Sequence, residues 1–495
     1  MRKSWLGLLL VPLAIAAGAA WWLQQQGVTP RALAPYVERR SSGHNAVIEW
    51  VGTTLAQTLQ VLDRGRPGLP GVAPAALGAQ AAGTPAPAGR VVLVGSSQEA
   101  HQAFAAALPG DVITFLPGTY RFAPPAPQAL RPGAVGRPIT VRAISPGSVL
   151  IEMNTVEGFL VAAPFWTFEN LAIRGVCADH HSCEHAFHVV GKAHSFAAIN
   201  NTITDFNAHF KINGDGGAFP DRGRIESNTL NNTSVRRTAN PVTPIDIVAA
   251  SGWRVRGNLI SDFIKGEGDR ISYGAFAKGG GSANVFEHNA VLCEHRLQGQ
   301  PGQRVGLSLG GGGTGKEYCR DRRCITEQDR SELRGNLVAA CSDAGIYLNR
   351  AAASVLLHNS VIDTAGVQLR QAETSASAEG NLVDGAIAMR DGALLHDGDN
   401  LVSPIAYAYA GYHPLRSIFG AAAAFDFSWD GAAPRRAAGA AQAPAEVPAK
   451  GGAERGSESG AERRDLCGSM RAQPSVYGAF EDYRACITPR KAGPG

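Results

Sequence analysis

An asparagine recurs along most of this 495-residue chain, each time at the head of a short apolar strand. It begins Asn170-Leu-Ala-Ile, Asn201-Thr-Ile-Thr, Asn228-Thr-Leu-Asn and Asn258-Leu-Ile-Ser, and continues at Asn289, Asn336, Asn359, Asn381 and Asn400. Successive positions differ by 31, 27, 30, 31, 47, 23, 22 and 19 residues. Strands this short cannot bury a core alone, and a period of 20–50 residues means coils stacked on one another. The pattern predicts an all-β chain folded as a right-handed parallel β-helix. Asparagine suits the turn because its amide satisfies backbone groups and tolerates left-handed dihedrals, and stacked coils let the amides form a ladder. Nine recurrences in one register weigh against a β-sandwich with chance turn asparagines. The 47-residue step marks an insertion, roughly Glu294 to Ser331, and a long loop inside a repeat array is more often functional than structural.

The ends of the array are legible too. Val91 to Val94 form a first strand, Ser96 to Glu99 a capping box, and His101 to Leu108 a helical run that would close the open end of the solenoid. Before it, Ala46 to Leu62 fits an amphipathic helix, and Pro/Ala/Gly-rich Arg66 to Gly89 reads as a flexible linker. Arg2 and Lys3 precede an uncharged apolar run from Trp5 to Leu23, which fits a membrane anchor or a signal peptide; the Trp21-Trp22 pair suits the membrane interface. The expected organisation is an anchor or signal over 1–25, helix and linker over 26–90, β-helix over 91–430, a low-complexity linker over 431–465 and a short tail over 466–495.

The eight cysteines agree with export to an oxidising compartment, on the periplasmic or extracellular side of a membrane. Proximity favours the pairs 177–183, 319–324, 293–341 and 467–486, although spacing alone does not fix connectivity. The last pair would staple a tail too small for its own core. A net charge of +4 gives no electrostatic case for nucleic acid.

Strand alternation sorts the second strand of each coil into faces. It turns His209, Lys211 and Asn213 outward, with Asp246, Ser308, Tyr347, Asn349, Gln368, Arg370 and Arg390 on later coils. Stacking would line these up as a polar strip beside the insertion, suited to a saccharide. Charged residues on an outer face are also ordinary solvation; the collected strip, with groups able to move protons or pair carboxylates, carries more weight than any single residue.

Pro109-Gly110-Asp111, Gly118-Thr119-Tyr120, the stretch Phe276 to Asn284 and the Gly306 to Gly313 strand resemble polysaccharide lyase family six, the chondroitinase B and alginate lyase group. The resemblance covers roughly Val91 to Leu401. It implies β-elimination on uronate chains, with calcium on the carboxylate, a Lys as base and an Arg assisting, and it puts Lys278 at the base position. The sequence departs from that pattern: Ile271 to Ala277 has no carboxylate to hold calcium, and Leu307-Ser308-Leu309-Gly310 lacks the expected Arg. A substituted site would use Lys278, Lys211 or His209 as base and Arg370 or Arg350 on the substrate carboxylate, with no required cofactor.

Three motifs are discounted. Gly310 to Lys316 approaches a phosphate loop, but Glu317 replaces the hydroxyl residue. Asp179-His180-His181-Ser-Cys183 has one residue too many for an acyl-transferase signature. Cys177, His181, Cys183, His185 and His188 could hold zinc, but a Cys177–Cys183 disulfide explains them as well. Two functions remain: a lyase-like enzyme on an acidic polysaccharide, or a polysaccharide-binding scaffold of the cell envelope. Epimerisation and hydrolysis rank lower, for want of an Asp-Pro-His-Asp motif and of clustered carboxylates.

Overall fold

The computed structural model describes residues 17–437 and 464–487, except 20, 23, 25, 66–70, 72, 86 and 312. Its body is three long parallel sheets, of 12, 11 and 10 strands among the described residues, designated A, B and C. The chain visits them in the order A, B, C and repeats. Trp166–Glu169 lies in A, Ala172–Gly175 in B and His185–Val190 in C before Ala197–Ile199 returns to A. Every one of these sheets is parallel, with each strand paired to its counterparts one coil before and after. The arrangement is consistent with a right-handed parallel β-helix.

The core is the space enclosed by the three sheets. On sheet C, alternate residues point into it: Phe159, Phe187, Phe210, Ile245, Ala275, Leu307, Ile346 and Val367 stand in register and are all buried. The first end is closed by helix α3 (Ser97–Ala106), capped by Ser96, whose side chain accepts from Glu99 N at 3.2 Å. Its Phe104 packs on Phe159, Trp166 and Phe168. Burying such a ring contributes about 1.5–3 kcal/mol.

The asparagine ladder forms at the A–B turn. From Asn201 to Asn381, each backbone N–H and each side-chain Nδ2 donates to Oδ1 of the next asparagine, ending at Asn400. Each Nδ2 also reaches back to a carbonyl of the preceding coil, as Asn258 does to Ile225 O at 2.8 Å. Two details differ from expectation. The left-handed residue is the one before the ladder asparagine: Asn200, Ser227, Gly257, His288, Gly335, His358 and Gly380 all have φ between 51° and 67°. And Asn170 (φ 61°) belongs to that preceding column, where its Oδ1 accepts from Asn200 Nδ2; Leu171 holds the ladder position. The repeat into that coil is therefore one residue shorter than its asparagines suggest.

The 47-residue step is not one insertion. Residues 294–302 form a loop at the B–C corner, Gln303–Leu309 is a full strand of sheet C, and residues 310–327 form a second loop at the C–A corner. All four expected disulfides are present.

Outside the solenoid, helices α1 (Pro30–Ser41) and α2 (Ala46–Arg64) pack against the B–C corner. The sequence pointed to α2 only. Buried Arg31 fastens the pair: it donates to Asp63 Oδ1, to Cys341 O at 2.7 Å and to Asp363. Burial works against its charge, but Asp63 and Asp363 more than offset this and raise its pKa. The described part of the supposed flexible linker is docked rather than free. Ala79 N, Gln80 N and Thr84 N donate to Thr229, Asn200 and Asn170 side chains on successive A–B turns. A Pro/Gly-rich segment still has backbone donors to satisfy, and the turn side chains supply acceptors. The tail covers the outer face of sheet B, where Phe480 and Tyr483 join Phe419, Phe425 and Phe427 over Leu337, Ile362 and Leu382. Residues 438–463, most of the second linker, lie outside the described residues, as does most of the Trp5–Leu23 run. Among the described residues no helix is long and apolar enough to cross a membrane.

Candidate functional site: the outer face of sheet C

Sheet B is covered by the tail, whereas sheet C carries the outward strip. One column runs His188, Lys211, Asp246, Phe276, Ser308, Tyr347, Gln368 in strict register. The neighbouring column runs Asn213, Val248, Lys278, and after the turn at Gly310 it resumes as Asn349, Arg370, Arg390. Alternation therefore placed Lys211, Asp246, Ser308, Tyr347, Asn349, Arg370 and Arg390 on the right face.

Their chemistry is less uniform than their placement. Lys211 Nζ donates to Asp246 Oδ2 at 2.7 Å, so each neutralises the other. Ser308 is buried and its hydroxyl donates to Gly310 O at 2.9 Å. The Tyr347 hydroxyl accepts from Asn349 Nδ2 at 3.0 Å, and burial raises its pKa. Arg370 grips Asp391 through Nε and Nη2 at 2.9 and 2.7 Å.

Two expected residues leave the strip. His209 begins its strand at the corner, fully buried beside Phe206, with Nε2 3.2 Å from Asn231 O. Burial pushes its pKa down to about 4. It is a neutral packing residue without access to a substrate: it shares the outward parity of Lys211, but Phe206 and the Asn231 backbone cover it. Arg350, in the left-handed region at φ 56°, turns the chain at the C–A corner, and its carbonyl accepts from Glu327 N at 2.8 Å.

Lys278 is a half-buried cation of the middle coils. Its Nζ lies 4.4 Å from the centroid of the Phe276 ring, and among the described residues it has no carboxylate partner. Phe276 meets Tyr273 edge-on at 5.5 Å and joins Phe219, Val248 and Ala249 in an apolar patch on the outer face. Burial pushes Tyr273 up to about 12, so it stays a neutral phenol. Arg320, from the second loop, stacks on Phe219 with its guanidinium carbon 4.4 Å from the ring centroid, while Nη1 and Nη2 bind Asp221 at 2.7 and 2.8 Å. The result is an aromatic platform with a cation over each end, walled by the 310–327 loop. Phe276 and Lys278 entered the sequence reading only through the stretch that resembles the lyase family; Phe219, Asp221 and Arg320 sit in irregular loops, where no periodicity announces them.

Two cavities, of about 280 and 390 Å³, lie instead between the helical pair and the B–C corner, lined in part by Gln57, Gln60, Arg64 and Gly299. A polymer with many repeating contacts calls for an open face rather than an enclosed cavity. Side chains able to hold a metal ion gather at the first end of the strip, at Glu157, His185 and His188.

No protein-family model matches the chain, and no curated protein sequence matches it. Several solved structures are similar in fold. A rhamnogalacturonan lyase aligns at 13% identity over 64% of this chain and 87% of its own, with a TM-score of 0.44. The pectate lyase Pel9A aligns at 15% identity over 61% and 71%, with a TM-score of 0.39. The PL6 family polysaccharide lyase Pedsa3628 from Pseudopedobacter saltans aligns at 12% identity over 63% and 92%, with a TM-score of 0.36.

Proposed function

We propose that the outer face of sheet C binds an acidic polysaccharide and that Lys278 acts on it as the base of a β-elimination. In its neutral form the Lys278 amine would take the proton at C5, next to the uronate carboxyl group. The electron pair then forms the C4–C5 double bond, and the C4–O bond to the next sugar breaks, its electron pair leaving on the oxygen, which takes a proton from solvent. The observation that carries this reading is the placement of Lys278: a half-buried amine on the outward column of sheet C, in the middle coils, with no ion-pair partner among the described residues. Half-buried Phe219, packed with buried Phe276, offers an apolar contact for sugar C–H groups. Asn349 and Arg370 stand two and three strand spacings from Lys278 in the same column, about 10 and 14 Å away. They would therefore hold neighbouring sugars rather than the one being cleaved. Tyr347 and Arg390 line the same path, with Ser308 buried beneath it.

Export fits the four disulfides, and the apolar run before Leu23 would anchor the solenoid to a membrane or direct its secretion. Exposed Trp21, Trp22 and Trp50 would lie on the membrane side in an anchored form.

The test is to incubate the chain with alginate, chondroitin, pectate and hyaluronan, reading ultraviolet absorbance and polymer length together. New absorbance that Lys278→Ala abolishes is the expected result. Chain shortening without absorbance would sink the elimination step. A second reading, binding without turnover, is favoured by the internal pairing of Lys211 with Asp246 and of Arg370 with Asp391, which leaves few charges for chemistry.

A further inference from the structure

The sheet C face carries a second cluster, at the opposite end from Arg390 and independent of the polysaccharide reading. Glu157 opens one strand and His185 opens the next, directly opposite it in register, with His188 three residues on. Glu157 Oε1 lies 2.9 Å from His188 Nδ1 and 4.0 Å from His185 Nδ1, and the two imidazole centroids are 5.2 Å apart.

Hydrogen bonding defines what these nitrogens offer. Asn213 Nδ2 donates to Gly214 O at 3.1 Å, which turns its Oδ1 toward His188 Nε2, 2.9 Å away. The His188 proton therefore sits on Nε2, and Nδ1 presents a lone pair to the Glu157 carboxylate. Two acceptors at 2.9 Å repel unless they share a cation. His185 Nδ1 is buried, has no hydrogen-bond partner and turns toward the same carboxylate. One extra proton would serve only one of these rings; a metal ion would serve both.

We infer that Glu157, His185 and His188 form a binding site for a divalent transition-metal ion, with zinc the best fit. Two imidazoles select zinc, copper or nickel over calcium and magnesium. One carboxylate completes three protein ligands and leaves a fourth, open position, for which the 44% exposure of Glu157 provides access. The ligand atoms all lie within 4.8 Å of one another, a span that bonds of about 2.0–2.2 Å close with small side-chain movements. Asn213 is the positioning residue that holds His188 in the ligating tautomer. Lys211 does not compete for the site, because its ammonium is turned to Asp246.

The experiment uses the untagged full chain, stripped with a chelator. It is titrated with zinc sulfate against a chromophoric chelator, and separately with cobalt(II) chloride read by visible absorption. One equivalent of zinc and a cobalt spectrum of a low-coordinate N/O site are expected. His185→Ala and His188→Ala should each remove the cobalt spectrum, and Asn213→Ala should weaken zinc by about tenfold or more. His181→Ala, on the adjacent exposed loop, should change neither, and unchanged circular dichroism will show that each variant is folded. Absence of stoichiometric zinc in the wild type would overturn the assignment. So would wild-type affinity in a His185→Ala/His188→Ala double variant.

Discussion

Lys211 and Lys278 leave the same sheet toward the same side, and their surroundings give them opposite roles. Lys211 is held by Asp246, whose carboxylate is only 4% exposed and has one oxygen without a hydrogen-bond partner. Lys211→Ala strips that carboxylate of its counter-charge and should destabilise the fold by about 3 kcal/mol, read as a lower denaturant midpoint. Lys278→Ala removes no ion pair and should leave the midpoint within about 0.5 kcal/mol of wild type. His209 carries a different prediction. Its folded pKa of about 4 lies below the ordinary 6.5, so between those values the unfolded chain takes up a proton that the folded chain refuses. Stability should therefore fall as pH drops from 6.5 toward 4, by at most about 3 kcal/mol from this residue, and His209→Gln should flatten that part of the profile of thermal midpoint against pH. Alternation turned Lys211 outward correctly because period two is a property of any straight strand. His209 has the same outward parity, but Phe206 and the Asn231 backbone cover it, which no local periodicity announces.

At the scale of the element, the A–B turn is where sequence and structure correspond most closely. A ladder asparagine makes four hydrogen bonds: Asn258 donates to Ile225 O and Asn289 Oδ1 and accepts from Asn228 N and Nδ2. Asn258→Ala removes all four at a fully buried position, and should cost about 3 kcal/mol or more. Asn400→Ala, at the exposed end, should cost nearer 1 kcal/mol; urea titration of the two variants checks the contrast. The ladder was legible because every coil repeats the same local requirement. Asn170 misled because an asparagine also fits the left-handed position one residue earlier, and a single letter does not distinguish the two demands. The corners were opaque for the opposite reason. Residues 294–302 and 310–327 satisfy no shared template, so the strand between them was absorbed into one supposed insertion.

Across the whole molecule, the accessory segments decide which face stays open. Helices α1 and α2 take the B–C corner, the 73–85 strap takes the A–B turns, and the tail takes sheet B, leaving the outer faces of sheets A and C without these covers. None of this docking was legible, because the contacts join residues far apart in the chain: Arg31 to Asp363, 332 positions, or Ala79 to Thr229, 150 positions. Asp63→Ala would leave Arg31 and Arg416 short of a buried partner. It should loosen the helical pair before the solenoid melts, visible as early loss of hydrogen-exchange protection in residues 30–64. The central claim is that the open sheet C face holds an acidic polysaccharide. Its most direct test is the migration of the full chain through gels containing each of the four polymers, wild type beside a Phe276→Ala/Lys278→Ala variant. The account predicts retardation by at least one polymer that the variant loses. Free migration in all four gels, or equal retardation of the variant, would contradict it.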